Sequence, residues 1–166
     1  MRRRALIEFV AVIVLVAVLD QASKAAVVRV MAFGESISVW PPVLRLTLWK
    51  NTGIAFGLLS GASGAVGALA ALTALFLLFY NRGRWQTSRL VRIGLGMVLG
   101  GAIGNLVDRA RLGYVVDFLE LPYWPVFNIA DACIVVGGAL LAWSALRRGS
   151  GSELAAHGRA DGGSRS

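Results

Sequence analysis

Long apolar runs and short polar breaks alternate along the chain. The first run extends from Ala5 to Leu19, interrupted only by Glu8, and leads into Asp20-Gln21-Ala22-Ser23-Lys24. Residues 61–80 carry no charge; at about 1.5 Å per helical residue they are long enough to cross about 30 Å of hydrocarbon. A third run, Ile93–Val107, is rich in glycine, with Gly96, Gly100 and Gly104 at every fourth position. That spacing puts them on one helix face, where another helix can approach closely. The fourth run covers Pro125–Leu146 and stops at Arg147-Arg148. Together the runs predict four transmembrane helices, at about 5–28, 61–80, 90–108 and 125–146.

Residues 30–60 have a different texture. Leu44, Leu46 and Leu48 alternate with Arg45, Thr47 and Trp49, the period-2 pattern of a half-buried strand. Pro41-Pro42 interrupts the chain before it, Asn51-Thr52-Gly53 reads as a turn, and Ile54-Ala55-Phe56 can pair back. This stretch predicts a small β element outside the bilayer. Residues 1–148 then form one integral membrane domain, and the Gly/Ser-rich stretch 149–166 reads as a disordered tail. Arg2-Arg3-Arg4 and the apolar stretch behind them also resemble a secretory signal peptide. Asp20 to Lys24, however, stand where small neutral residues would prepare cleavage, which favours a retained first span.

Composition agrees with a membrane protein. The chain is 57% hydrophobic and 16% charged, against about 25% charged in soluble domains. The net charge of +8 does not point to nucleic acid, because the basic residues fall between and beyond the apolar runs instead of on one face. The N-terminus, the 81–92 loop and Arg147-Arg148 hold nine of them, against six on the other side: Lys24, Arg29, Arg45, Lys50, Arg109 and Arg111. That excess places both termini in the cytoplasm, in agreement with four spans. Cys133 stands alone in an apolar run and the only histidine, His157, lies in the tail. Neither a disulfide framework nor a zinc site is built from these, and no cofactor is implied.

Depth along the spans adds a further constraint. Asp20 lies about 22 Å of helix from Ala5, Asp108 about 24 Å past Arg92, and Asp131 about 24 Å before Arg147. Three carboxylates from three spans therefore share one level, near the outer boundary, with Asp117 in the loop at that end. Ionisable groups beside hydrocarbon are costly and mark functional sites.

Asp117 and Asp131, fourteen positions apart across Val115–Asp131, are read as the catalytic pair of a membrane-embedded aspartic peptidase. Two close carboxylates share a proton; one then takes a proton from the attacking water and the other donates toward the carbonyl oxygen. Blander readings stand beside this one: Asp131 as a helix cap, Asp117 as a loop residue, Lys24 as counter-ion to a carboxylate. Asp108-Arg109 can serve as a structural ion pair, or position substrate. Asn51 and Asn128 can donate and accept at a polar pocket or satisfy turns, and Asn105 shares a helix face with Arg109. Ser23 and Lys24 are adjacent on a helix and point about 100° apart, which argues against a serine–lysine nucleophile. A transporter using its carboxylates as a proton relay is the alternative function, but Glu8 alone lies toward the inner side. A structural scaffold would have no use for a polar cluster at one depth.

Asp20-Gln-Ala-Ser-Lys24, Asn51-Thr-Gly-Ile-Ala-Phe-Gly57, Gly100-Gly-Ala-Ile-Gly-Asn-Leu-Val-Asp-Arg109, Val115-Val-Asp-Phe118 and Phe127-Asn-Ile-Ala-Asp131 resemble, in order, the blocks of the bacterial lipoprotein signal peptidase family, signal peptidase II. The resemblance runs over roughly residues 8–146. It implies an all-α membrane fold of four transmembrane helices with a small extracytoplasmic β-sheet cradle, in the bacterial inner membrane. It also implies an aspartic endopeptidase that cuts diacylglyceryl-modified prolipoproteins before the lipidated cysteine, needs no metal or cofactor, and is inhibited by globomycin. Expected partners are those substrates and membrane lipids, with the chain a monomer. In matching positions Asp117 and Asp131 would be the dyad. Asp20, Lys24, Asn51, Gly53, Gly104, Asn105, Arg109, Asn128 and Ala130 would line the pocket, and Asp108 would support it. The segment between the two aspartates is short for the family, which implies a reduced lid over the site.

Overall fold

Small residues in the third apolar run allow one helix to pack closely on two others. The computed structural model describes residues 2–53, 72–73 and 75–162, with side chains from Arg3 to Arg147 within those segments. Its helices are α1 (Arg2–Val30), α2 (Arg89–Leu112) and α3 (Ile129–Gly162). Three stretches among the described residues are long and apolar enough to cross a membrane: Arg3–Val30, Arg89–Leu112 and Ile129–Arg147. α2 packs against both of the others. A β-carbon built on Gly100 would lie 2.8 Å from the Ile13 carbonyl oxygen of α1, and one on Gly96 would lie 2.8 Å from Val12 Cγ1. Toward α3, a β-carbon on Gly101 would lie 2.5 Å from the Ala130 carbonyl oxygen. The expected glycine face is thus the contact with α1, and a second glycine face meets α3. Lipid tails are as apolar as leucine, so such contacts are held by close packing and not by exclusion of water.

Ser88 caps the start of α2, its side chain accepting from the Val91 N–H, and Gly113 ends it in the left-handed region at φ 79°. The chain then enters the sheet, which consists of β1 (Ser36–Trp40), β2 (Leu44–Asn51) and β3 (Val115–Glu120), antiparallel in the order β1-β2-β3. β2 is the strand expected from the leucine alternation. Leu46 faces Leu119 and Trp49 faces Asp117, so Thr47 and Leu48 together oppose Phe118. Such a bulge re-aims the residues beyond it, and here it sets Trp49 opposite Asp117 and Asn51 opposite Val115. The outer side of β3 is covered by Phe127, which exchanges hydrogen bonds with Leu119 at 2.8 and 2.9 Å. Met31 at the end of α1 packs with Leu48 and Val116, fixing the sheet to the bundle.

Three expectations differ from the structure. Asp117 lies in β3 and not in a loop; consecutive apolar residues at Val115 and Val116 hide the alternation, since both are buried. The fourth apolar run becomes helical only at Ile129, because Pro125 lacks an N–H for the ladder and Asn128 caps the first turn. The α3 backbone stays helical to Gly162, beyond the point where composition placed a disordered tail; Glu153-Leu-Ala-Ala156 are good helix formers. Residues 75–80 of the expected second span are helical. The remainder of that span below residue 72, and the Ile54–Phe56 return strand, lie outside the described residues.

Candidate active site

Asp20 is one turn before Lys24 on α1, and both side chains are buried. The Lys24 ammonium lies 2.8 Å from Asp20 Oδ2 and 2.8 Å from Asp108 Oδ2, and donates to Asn105 Oδ1 at 3.0 Å. All three of its protons are engaged, so Lys24 acts as a cationic staple between α1 and α2, the counter-ion role weighed from sequence. Asp20 Oδ1 accepts from the Ala130 N–H at 3.0 Å, satisfying an otherwise open donor in the first turn of α3. A β-carbon on Gly104 would fall 2.5 Å from Asp20 Oδ2; only glycine leaves room there. Asp108 Oδ2 also accepts from the Val116 N–H at 3.1 Å, tying α2 to β3 beside Asp117.

The two amides between these groups have fixed orientations. Lys24 can only donate, so Asn105 turns its carbonyl oxygen to it and its amino group to Asp131 Oδ1, at 2.7 Å. Asn128 donates from Nδ2 to Asp117 Oδ1 at 2.7 Å and to Asn105 Oδ1 at 3.1 Å. Its Oδ1 accepts from the Asp131 N–H at 2.9 Å, and Asp131 Oδ2 accepts from the Asn128 N–H at 3.4 Å. This is a reciprocal cap on α3, so the bland reading of Asp131 as a capping residue and its place in the cluster are both present. Asn51 donates to Asp117 Oδ2 at 2.9 Å, and its own carbonyl oxygen is held by the Gly53 N–H at 3.0 Å.

Asp117 is 1% exposed. Burial pushes its carboxyl up, and the Asp131 charge adds to this; the Asn51 and Asn128 amides and the Lys24 cation pull the other way, leaving it at about 7. Arg109 is placed beside the cluster and not within its side-chain hydrogen bonds: Nη1 donates to the Asn105 backbone carbonyl oxygen at 3.4 Å.

Asp20, Lys24, Asn51, Gly53, Gly104, Asn105, Asp108, Asn128, Ala130, Asp117 and Asp131 therefore meet in one network drawn from α1, β2, α2, β3 and α3. Gln21 also belongs to it, donating to Asp108 Oδ1 at 2.8 Å and to the Gly104 carbonyl oxygen at 3.1 Å. Sequence reasoning assigned it no role; its place immediately after Asp20 was the available signal. At the other end of the bundle, Glu8 is held by Arg89 and Arg92, each at 2.7 Å. It is a clamp between α1 and α2 and gives a proton relay no intermediate stop.

Fold and site define a helical, multi-pass membrane protein with a carboxylate-rich polar centre at one end of its bundle. Residues 12–147 match the family described as Signal peptidase (SPase) II, Peptidase_A8. The lipoprotein signal peptidase of Pelotomaculum thermopropionicum is 48% identical over 138 residues, covering 81% of this chain and 89% of the relative. That of Polynucleobacter necessarius is 36% identical over 164 residues, covering 95% and 100%. A solved structure described as a bacterial membrane enzyme, obtained by the in meso method, has a TM-score of 0.80 at 28% identity and covers 86% of this chain and 90% of its own. The chain belongs to the lipoprotein signal peptidase family, aspartic proteases that remove the signal peptides of lipoproteins.

Proposed function

We propose that Asp117 and Asp131 are the catalytic dyad. The observation that carries this assignment is the Asn128 side chain, which bonds Asp117 through Nδ2 and Asp131 through Oδ1 and so ties the two carboxyl-bearing residues together. Asp117, buried and raised to about 7, shares a proton with Asp131 as one coupled pair. Asp131 takes a proton from the attacking water; Asp117 donates toward the scissile carbonyl oxygen, and a proton then passes to the leaving nitrogen. Asp20, Lys24, Asn105 and Asp108 position the pair, with Asn51 and Gly53 on the sheet side and Arg109 at the margin of the pocket.

The substrate is a diacylglyceryl-modified prolipoprotein cut just before the lipidated cysteine. Its acyl chains remain in the bilayer while the peptide reaches the dyad at the membrane boundary. Four spans with both termini in the cytoplasm put the site at the extracytoplasmic face, an orientation that the distribution of basic residues supports; the bacterial inner membrane is what the family implies.

The test is cleavage of such a substrate by the purified protein beside Asp117→Asn and Asp131→Asn. Both folded variants lose at least about 100-fold in rate, the lower end for general acid–base groups, and globomycin blocks the parent. Full activity in either variant overturns the dyad.

A further inference from the structure

At the end of the bundle away from the carboxylates, an open cavity of about 600 Å³ is lined by α1, the helical residues 75–80 and the turn that carries Arg82 and Trp85. Its lining is apolar (Leu6, Phe9, Leu75, Leu78, Phe79 and Trp85) except for Arg82. Phe9 precedes Asp20 by eleven residues, about 16 Å of helix, so the cavity is separate from the polar network. Its size lies within the range of about 300–1,000 Å³ typical of small-molecule sites. In a membrane-spanning chain, the matter that meets such a wall is an acyl chain.

Charge at the opening selects the headgroup. Arg82 lies with its guanidinium carbon 4.5 Å from the centre of the Phe79 ring and is exposed. Arg3 stands one turn before Leu6 and so shares its helix face. Glu8, the carboxylate nearest in sequence to that face, is already held by Arg89 and Arg92. Among the described residues, Arg82 and Arg3 have no carboxylate partner. An apolar groove with the unneutralised guanidinium group of Arg82 in its lining is complementary to one phospholipid molecule whose headgroup carries net negative charge.

We propose that this groove is a binding site for an anionic phospholipid, its acyl chain along Leu6, Phe9, Leu75 and Leu78 and its phosphate at Arg82. Trp85 lines the groove and stacks on Phe9 at 5.2 Å between ring centres, so it reports occupancy. The full-length protein is placed in phosphatidylcholine vesicles doped with dibrominated phosphatidylglycerol, or with the same fraction of dibrominated phosphatidylcholine. The Trp85 contribution to fluorescence quenching is taken as the difference from Trp85→Phe.

The brominated phosphatidylglycerol is expected to occupy the groove about fivefold more strongly, the factor given by about 1 kcal/mol per basic residue at an anionic headgroup. Arg82→Gln abolishes that preference and Arg82→Lys keeps it, with circular dichroism confirming that each variant is folded. Equal quenching by both lipids would mean ordinary solvation of the helices and would overturn the proposal. A preference that survives Arg82→Gln, or no quenching from Trp85 at all, would overturn it equally.

Discussion

Asn128 and Asp131 bond each other twice, the Asn128 side chain accepting from the Asp131 N–H at 2.9 Å and the Asp131 side chain accepting from the Asn128 N–H at 3.4 Å. The start of α3 and the position of the carboxylate are therefore one structural feature. Because the other end of the same amide holds Asp117 at 2.7 Å, the cap also sets the relation between the two aspartates.

Asn128→Ala removes both roles. Loss of a cap costs about 1 kcal/mol, and a buried acceptor left without its donor adds about 1–3 kcal/mol. Displacement of the pair by about 1 Å lowers kcat by about 100-fold. Asn128→Asp keeps an acceptor for the cap but sets a further buried carboxylate against Asp117, so it gains no stability over Asn128→Ala and loses activity as well. Thermal midpoints and single-turnover rates measured together separate the two effects; normal turnover in Asn128→Ala would contradict this reading.

Lys24 is the cation that two buried carboxylates share. Lys24→Met leaves Asp20 and Asp108 uncompensated and is expected to cost about 3–5 kcal/mol, the range for breaking a buried pair. Adding Asp108→Asn restores part of it, because one of the stranded charges is gone. Unfolding in mixed micelles checks this, and purely additive losses would show that the ion pairs are not coupled.

Gly104→Ala places a methyl group against Asp20 Oδ2, whereas a β-carbon on Gly138 meets nothing within 4 Å. The first substitution should pull Asp20 from the Ala130 N–H and lower both stability and cleavage. Gly138→Ala should leave both unchanged or raise stability by up to about 1 kcal/mol through helix propensity. Equal behaviour of the two variants would remove close packing at Gly104 from the account.

Asp117 has its carboxyl raised from 3.8 to about 7. A raised carboxyl binds its proton more tightly in the folded chain, so the stability it contributes is complete below about 3.8 and is lost as pH rises through about 7. Cleavage that uses this proton should fall over the same upper limb. Asn51 donates to the ionised form; Asn51→Ala therefore moves the limb to higher pH. A limb that stays in place or moves downward in Asn51→Ala would contradict the assignment, as would an unchanged stability profile in Asp117→Asn.

Much of the site is legible in the sequence because membrane spans are nearly one-dimensional. The rise of a helix and a bilayer of roughly constant thickness set depth, which is why Asp20, Asp108 and Asp131 could be placed at one level before any contact was known. The four-residue glycine spacing in α2 likewise follows from helix geometry, and the structure seats that face on α1. Residue order within the motifs was enough to identify the family.

What only the tertiary structure decided is which polar atoms meet. Asp20 reaches the Ala130 N–H across 110 positions, Lys24 reaches Asn105 across 81, and Asn51 reaches Asp117 across 66. No local periodicity encodes those pairings. β3 was missed because its strand character depends on pairing with β2 and on Phe127 covering its other side, with both Val115 and Val116 buried. Gln21 and the Glu8 clamp were missed for the same reason: their partners on α2 come within reach only when the helices pack. The sequence by itself determined how deep each carboxylate sits, since depth follows from distance along a helix. The packed fold decided which carboxylates are paired, which are bridged and which is held near 7, since those depend on direction and burial set by distant parts of the chain.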